Sequence, residues 1–162
     1  MTGPTVATIA PDGTILVLEA GNPTAKPTPI PSRLQAFNLG ANAIPFFAKQ
    51  PDPHFLTLTA TPNDQWQYLD IAAEYSGLLY VLSYNQNTFL YRLDIYDPTQ
   101  ADTTPIATTQ HINAAKLTVD FWRSVYTLNY EVLQLPGPGI TEPTVSLWVP
   151  TDAHTGANGR PA

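Results

Sequence analysis

Short apolar runs, separated by Gly, Pro, Asn and Asp, set the pattern of this chain and predict strands joined by turns. Val6 to Ala10 is β-prone, and Asp12-Gly13 is a strong tight-turn signal before the next run. Ile15 to Leu18 places four apolar residues in a row, the pattern of a strand covered on both faces. Gly21-Asn22-Pro23 then breaks the chain, and Thr24 to Ser32 (TAKPTPIPS) carries three prolines in nine residues. Proline lacks the amide donor of a ladder, so this stretch is expected to be an extended surface insertion. Arg33 to Asn38 alternates with period two, with Leu34 and Ala36 on one face and Gln35 and Phe37 on the other. After a turn at Gly40 to Asn42, Ile44 to Phe47 is the expected fourth, edge-like strand, where Pro45 is tolerated. The patch HFLTLTA, within Lys49 to Trp66, is either an additional strand or a capping loop.

The same order recurs twice. A second unit predicts strands at Leu69 to Ala73, Leu78 to Tyr84, Phe89 to Tyr96 and Ile106 to Thr109, with turns at Tyr75 to Gly77 and Asn85 to Asn87. A third predicts strands at Ala115 to Val119 and Val125 to Tyr130, a Gly/Pro loop at Pro136 to Gly139, and a strand at Thr144 to Val149. No fourth strand follows, because Thr151 to Ala162 is small, polar and Gly- and Pro-containing, the composition of a flexible tail. The recurrence is visible residue by residue. Thr8 to Gly21, Ala72 to Asn85 and Thr118 to Glu131 stack without gaps, which puts Gly13 over Gly77 and Arg123, and Leu18 over Leu82 and Leu128. In the later copies Glu74 stands over Asp120, Tyr80 over Tyr126 and Tyr84 over Tyr130. The offsets are 64 and 46 residues, the shorter close to the length of a four-stranded propeller blade. Repeats of that period stack to bury a shared core.

The first unit, APDGTILVLEAGN followed after the insertion by RLQAFNLGANAIPFF, resembles an NHL-type β-propeller blade. Asp12, Gly13, Glu19, Gly21, Asn22, Arg33, Phe37 and Gly40 match that pattern of a DG turn, an acidic strand end before Gly-Asn, an Arg-led strand and a glycine turn. The resemblance covers residues 5 to 47; the later units keep the hydrophobic frame without the Gly-Asn signature. It implies a blade fold and a binding platform, in a family that also includes enzymes. The expected fold is thus all-β: a partial propeller of about three four-stranded antiparallel blades near 5–48, 66–110 and 113–150, the last incomplete, with 151–162 as tail. Three blades fall short of the four to eight of a ring. One arc of a larger protein is therefore expected, with closure through oligomerisation as the other route.

Composition narrows the partners. Of 162 residues 43% are hydrophobic, enough for a core, whereas charged residues make up only 12%, about half the usual share. The net charge is −6 and the seven basic residues stand singly, which argues against nucleic acid and anionic membrane surfaces as partners. No apolar run reaches the roughly 18 to 20 residues of a spanning helix. The N-terminal MTGPTVATIAPDG lacks the basic and apolar regions of a signal peptide. The absence of cysteine excludes disulfides, thiol catalysis and thiolate metal sites, and leaves the compartment unknown.

Candidate chemistry is sparse. His54, His111 and His154 lie far apart without ligand spacing, so neither a metal nor a cofactor is expected. None of Ser76, Ser83, Ser124 and Ser146 sits in a G-x-S-x-G elbow, and no catalytic residue is assigned. Glu74 and Asp120 hold the same repeat position before the first hairpin turn, which places both carboxylates on one rim. They are candidates for an acid/base pair or a cation site; the plainer reading is that each accepts hydrogen bonds from its own turn. Tyr75 and Phe121-Trp122 fall in those turns beside Arg123, a combination found on recognition surfaces, although packing of one loop on the next is the better explanation. Tyr80 and Tyr126 are expected in packing between blades. The favoured expectation is a non-catalytic structural or protein-binding module whose rim is Glu74, Tyr75, Asp120, Phe121, Trp122 and Arg123, with the remaining blades, a protein or a second copy as partner. The alternatives are a propeller-type hydrolase or lyase with a rim carboxylate site, or a glycan-binding module.

Overall fold

A computed structural model describes residues 6–22, 24–37, 58–59, 66–99, 103–110, 112–133 and 140–148. Among them no helix occurs, and the strands form three antiparallel sheets. The first holds β1 (Val6–Ile9), β2 (Ile15–Glu19), β3 (Arg33–Phe37) and β4 (Leu58–Thr59), in that order. The second holds β5 (Trp66–Ala73), β6 (Leu79–Asn85), β7 (Leu90–Tyr96) and β8 (Ala107–Thr109). The third holds β9 (Lys116–Val119), β10 (Val125–Leu133) and β11 (Ile140–Trp148). Chain order and spatial order coincide in every sheet. Among the described residues no sheet closes on itself. Most predicted strands lie within a few residues of the observed ones. The fourth strand of the first sheet is the exception, since β4 comes from the HFLTLTA patch, while Gly40 to Asn42 and Ile44 to Phe47 lie outside the described residues, as do Pro136 to Gly139 and the tail.

The three first hairpins share one geometry. In each, the residue before the turn donates its N–H to the residue four positions on and accepts from the residue three positions on: Ala10 with Thr14 and Gly13, Glu74 with Leu78 and Gly77, Asp120 with Ser124 and Arg123. This is a type I turn followed by a left-handed residue. Gly13, Gly77 and Arg123 have φ of 86°, 95° and 62°, so the ungapped stacking of the sequence fixes the left-handed position correctly in all three copies.

Burial follows from how many neighbours a sheet has. β6 is buried on both faces. Its Leu79 and Val81, with Ile71, Tyr68 and Tyr96, pack on Leu16, Leu18, Leu34, Ala36 and Leu58 of the first sheet. Its Tyr80 and Leu82, with Ala72 and Leu93, pack on Leu117 and Val125 of the third, and on Ile112 and Ala114 of the segment leading into it. The middle sheet is therefore sandwiched. β2 differs from expectation: only Leu16 and Leu18 are buried, while Ile15 and Val17 remain half-exposed, because among the described residues the first sheet has a neighbouring sheet on one side alone. For the same reason Leu128 is only half-buried where its repeat equivalent Leu82 is fully buried.

A β-bulge at Leu69 ties the middle sheet to its neighbours. Tyr68 pairs with Ser83 and Asp70 with Leu82, leaving Leu69 as the extra residue. The bulge turns Tyr68 toward the first sheet and Leu69 and Asp70 toward the third. There the buried Asp70 accepts the Leu117 N–H at 2.9 Å and lies 3.8 Å from the Lys116 ammonium. On the other side the Tyr68 N–H donates to Ser32 Oγ at 2.9 Å, and Ser32 itself donates to the Ala20 carbonyl. The proline insertion is pinched at its base by paired backbone hydrogen bonds between Asn22 and Ile30.

Candidate binding rim

The turns of the first hairpins gather at one rim, where the predicted residues divide into an anchoring set and a displayed set. Glu74 is anchoring: its carboxylate is 2% exposed, accepts from Ser76 Oγ and from Tyr80 Oη at 3.2 Å, and pairs with Arg123 Nε at 3.3 Å. Asp120 repeats the device. It accepts the N–H groups of Trp122 and Ser124, each at 2.8 Å, and Tyr126 Oη at 3.1 Å. Burial opposes its charge, but the Ser124 amide, the Tyr126 hydroxyl and the Trp122 amide outweigh it and hold the carboxyl below the usual aspartate range. Tyr80 is pushed the other way, upward, first by burial and then by the charge and hydrogen bond of Glu74. The plainer reading of the two carboxylates thus holds: each binds its own turn, and Glu74 is turned inward rather than presented at the surface. In the first copy Ala10 takes this position, and Asp12 Oδ1 instead receives the Thr14 N–H at 2.9 Å.

The aromatics are displayed. Tyr75, Phe121 and Trp122 are 72%, 61% and 41% exposed, yet they touch one another. Tyr75 and Phe121 meet across the two turns with centroids 5.0 Å apart, and Phe121 and Trp122 form an edge-on pair at 5.0 Å. Sequence reasoning set recognition against loop packing; the rings do pack between loops and still face solvent. Arg123 reaches from its own turn to Glu74, so an ion pair and an aromatic pair join the second and third sheets at the rim. Between the first and second sheets the rim instead opens into a cleft of about 340 Å³, lined by Ala10, Pro11, Asp12, Tyr75, Pro98 and Thr99 among others. Tyr75 forms one wall of the cleft and one end of the aromatic cluster.

Several features escaped sequence reasoning. At the opposite rim Phe89 is largely exposed with φ of 57°, held by its N–H to the Asn85 carbonyl. The buried Asp94 accepts Thr108 Oγ at 2.7 Å and lies 2.7 Å from Arg92 Nε, an ion pair whose N–H is not aimed along the contact. Arg92 also stands over the Trp66 ring at 4.3 Å. The available signal was a charge within an apolar run, in RLDIY as in WQYLDIAA. The three histidines lie outside the described residues, and among those described no group of three or more His, Asp or Glu is placed to hold a metal. No described helix is long and apolar enough to cross a membrane. A scan against protein-family models and searches of curated proteins and solved structures found no match.

Proposed function

We propose that this chain is a non-catalytic binding module, built as an arc of a β-propeller, which recognises a protein partner through the rim of its first hairpin turns. The observation that carries this reading is the contiguous cluster of Tyr75, Phe121 and Trp122, exposed in side chain but fixed in backbone. Large aromatics dominate the energetics of protein interfaces. Loops already ordered by Asp120, Glu74 and Arg123 lose little freedom on binding. The repeated up-and-down strand order, the shared turn geometry and the packing of the middle sheet on both neighbours support the propeller arc.

Selection of phage-displayed random peptides on the folded chain tests the rim. Trp122→Ala and Phe121→Ala are expected to weaken the selected binders by roughly 30-fold each, about 2 kcal/mol. Unchanged affinity in both variants, with folding intact, would remove the rim as the site. An oligosaccharide panel bound in a Trp122-dependent way, with no peptide selected, would move the reading to glycan recognition.

A further inference from the structure

Among the described residues nothing packs on the outer faces of the first and third sheets, and these faces are not arbitrary apolar surfaces. In the first sheet Ala7 pairs with Val17, Ile9 with Ile15 and Ile15 with Phe37, which collects these side chains on the face turned away from the second sheet. Ile9 is 68% exposed there. In the third sheet Tyr126 pairs with Leu147 and Leu128 with Val145, and Val145 is 71% exposed. The repeat identifies what each face is. Both internal interfaces are built alike: one sheet contributes Leu16 and Leu18, or their equivalents Tyr80 and Leu82, and the next contributes Leu79 and Val81, or Val125 and Thr127. By the same stacking, Tyr126 and Leu128 are the third copy of the first half, and Ile15 and Val17 are the first copy of the second half. The two open faces are thus the two unmatched halves of an interface that the chain already makes twice.

We infer that a second copy of this chain covers them, head to tail, the third sheet of each molecule packing on the first sheet of the other. Such a contact is heterologous and must either close or polymerise. Two copies supply six sheets, within the four to eight of closed propeller rings, so closure at the dimer is the outcome the sheet count favours. Contiguous exposed apolar area of this kind drives association in water. The inference rests on the sheet faces and the repeat, and is independent of what the rim binds.

Sedimentation of the unmodified chain should give twice the 17.7 kDa of one copy. Ile9→Glu with Val17→Glu blocks one face, and Val145→Glu with Leu147→Glu the other. Each blocked variant should sediment as a monomer with unchanged circular dichroism, and an equimolar mixture of the two should recover a one-to-one pair through the remaining good faces. If either blocked variant fails to fold, Ile9→Cys with Leu147→Cys in the otherwise cysteine-free chain provides the readout. A bismaleimide should then join position 9 of one chain to position 147 of the other. A monomeric unmodified chain, a ladder of higher multiples, a blocked variant that still pairs with itself, or linkage of like positions would each overturn the proposal.

Discussion

Glycines at the left-handed positions separate two costs that often travel together. At Gly13 a Cβ would meet no atom within 4 Å, so Gly13→Ala exposes backbone strain alone, about 1 kcal/mol. At Gly21 a Cβ would lie 2.5 Å from the Pro31 carbonyl carbon, so the same change adds a steric clash with backbone at the base of the insertion. Gly21→Ala is expected to cost clearly more than Gly13→Ala in urea unfolding, and equal midpoints would contradict the close approach of Pro31. Arg123 occupies the equivalent of Gly13 and accepts the strain of φ 62° while reaching the buried Glu74.

Position in the stack decides what an equivalent residue is worth at the level of strands. Leu82 of β6 lies between two sheets, whereas Leu128 of β10 is half-buried on an open face. Leu82→Ala should cost roughly 2 to 5 kcal/mol and Leu128→Ala less than half as much in a monomer, measured by denaturant unfolding. Equal losses would place a neighbour over the third sheet and mark Leu128 as an interface residue. The same distinction explains how much the sequence disclosed. Turns and strand starts were legible because Gly13 and Gly77 and the period-two runs act locally. Sheet faces were not: ILVL and LYVL look alike, yet burial of Ile15 and Val17 depends on a neighbour that local pattern does not encode. The anchoring role of Glu74 and Asp120 was legible from their repeat position, but the bulge at Leu69 was not, since bulges follow from strand pairing.

Buried phenols give the whole molecule a limit at high pH. Burial is the largest cause that raises the hydroxyls of Tyr80 and Tyr96 above the ordinary value of 10.0, reinforced by Glu74 and Asp94 respectively. Above about pH 10 the unfolded chain gives up protons that the folded chain retains, so their contribution to stability is complete below that pH and declines as pH rises. Absorbance at 295 nm should therefore show a late ionisation step that coincides with loss of the β-sheet circular dichroism signal. Tyr96→Phe should shrink the step. Smooth ionisation of all eight tyrosines in the ordinary range, with the fold retained, would contradict the burial of these two.

The pinched base of the proline insertion offers a place to add material. Asn22 and Ile30 exchange two backbone hydrogen bonds, so the chain leaves and re-enters the first sheet at adjacent points, and Lys26 to Thr28 between them are exposed. Loop-closure entropy grows only logarithmically with length, about 0.6 kcal/mol per doubling. A fluorophore tag or an affinity epitope spliced at Thr28 would extend a segment whose ends are already fastened, at the end of β2 opposite the turn at the rim. The insertion is thus a handle by which the protein can be immobilised or labelled while its rim stays free for measurement.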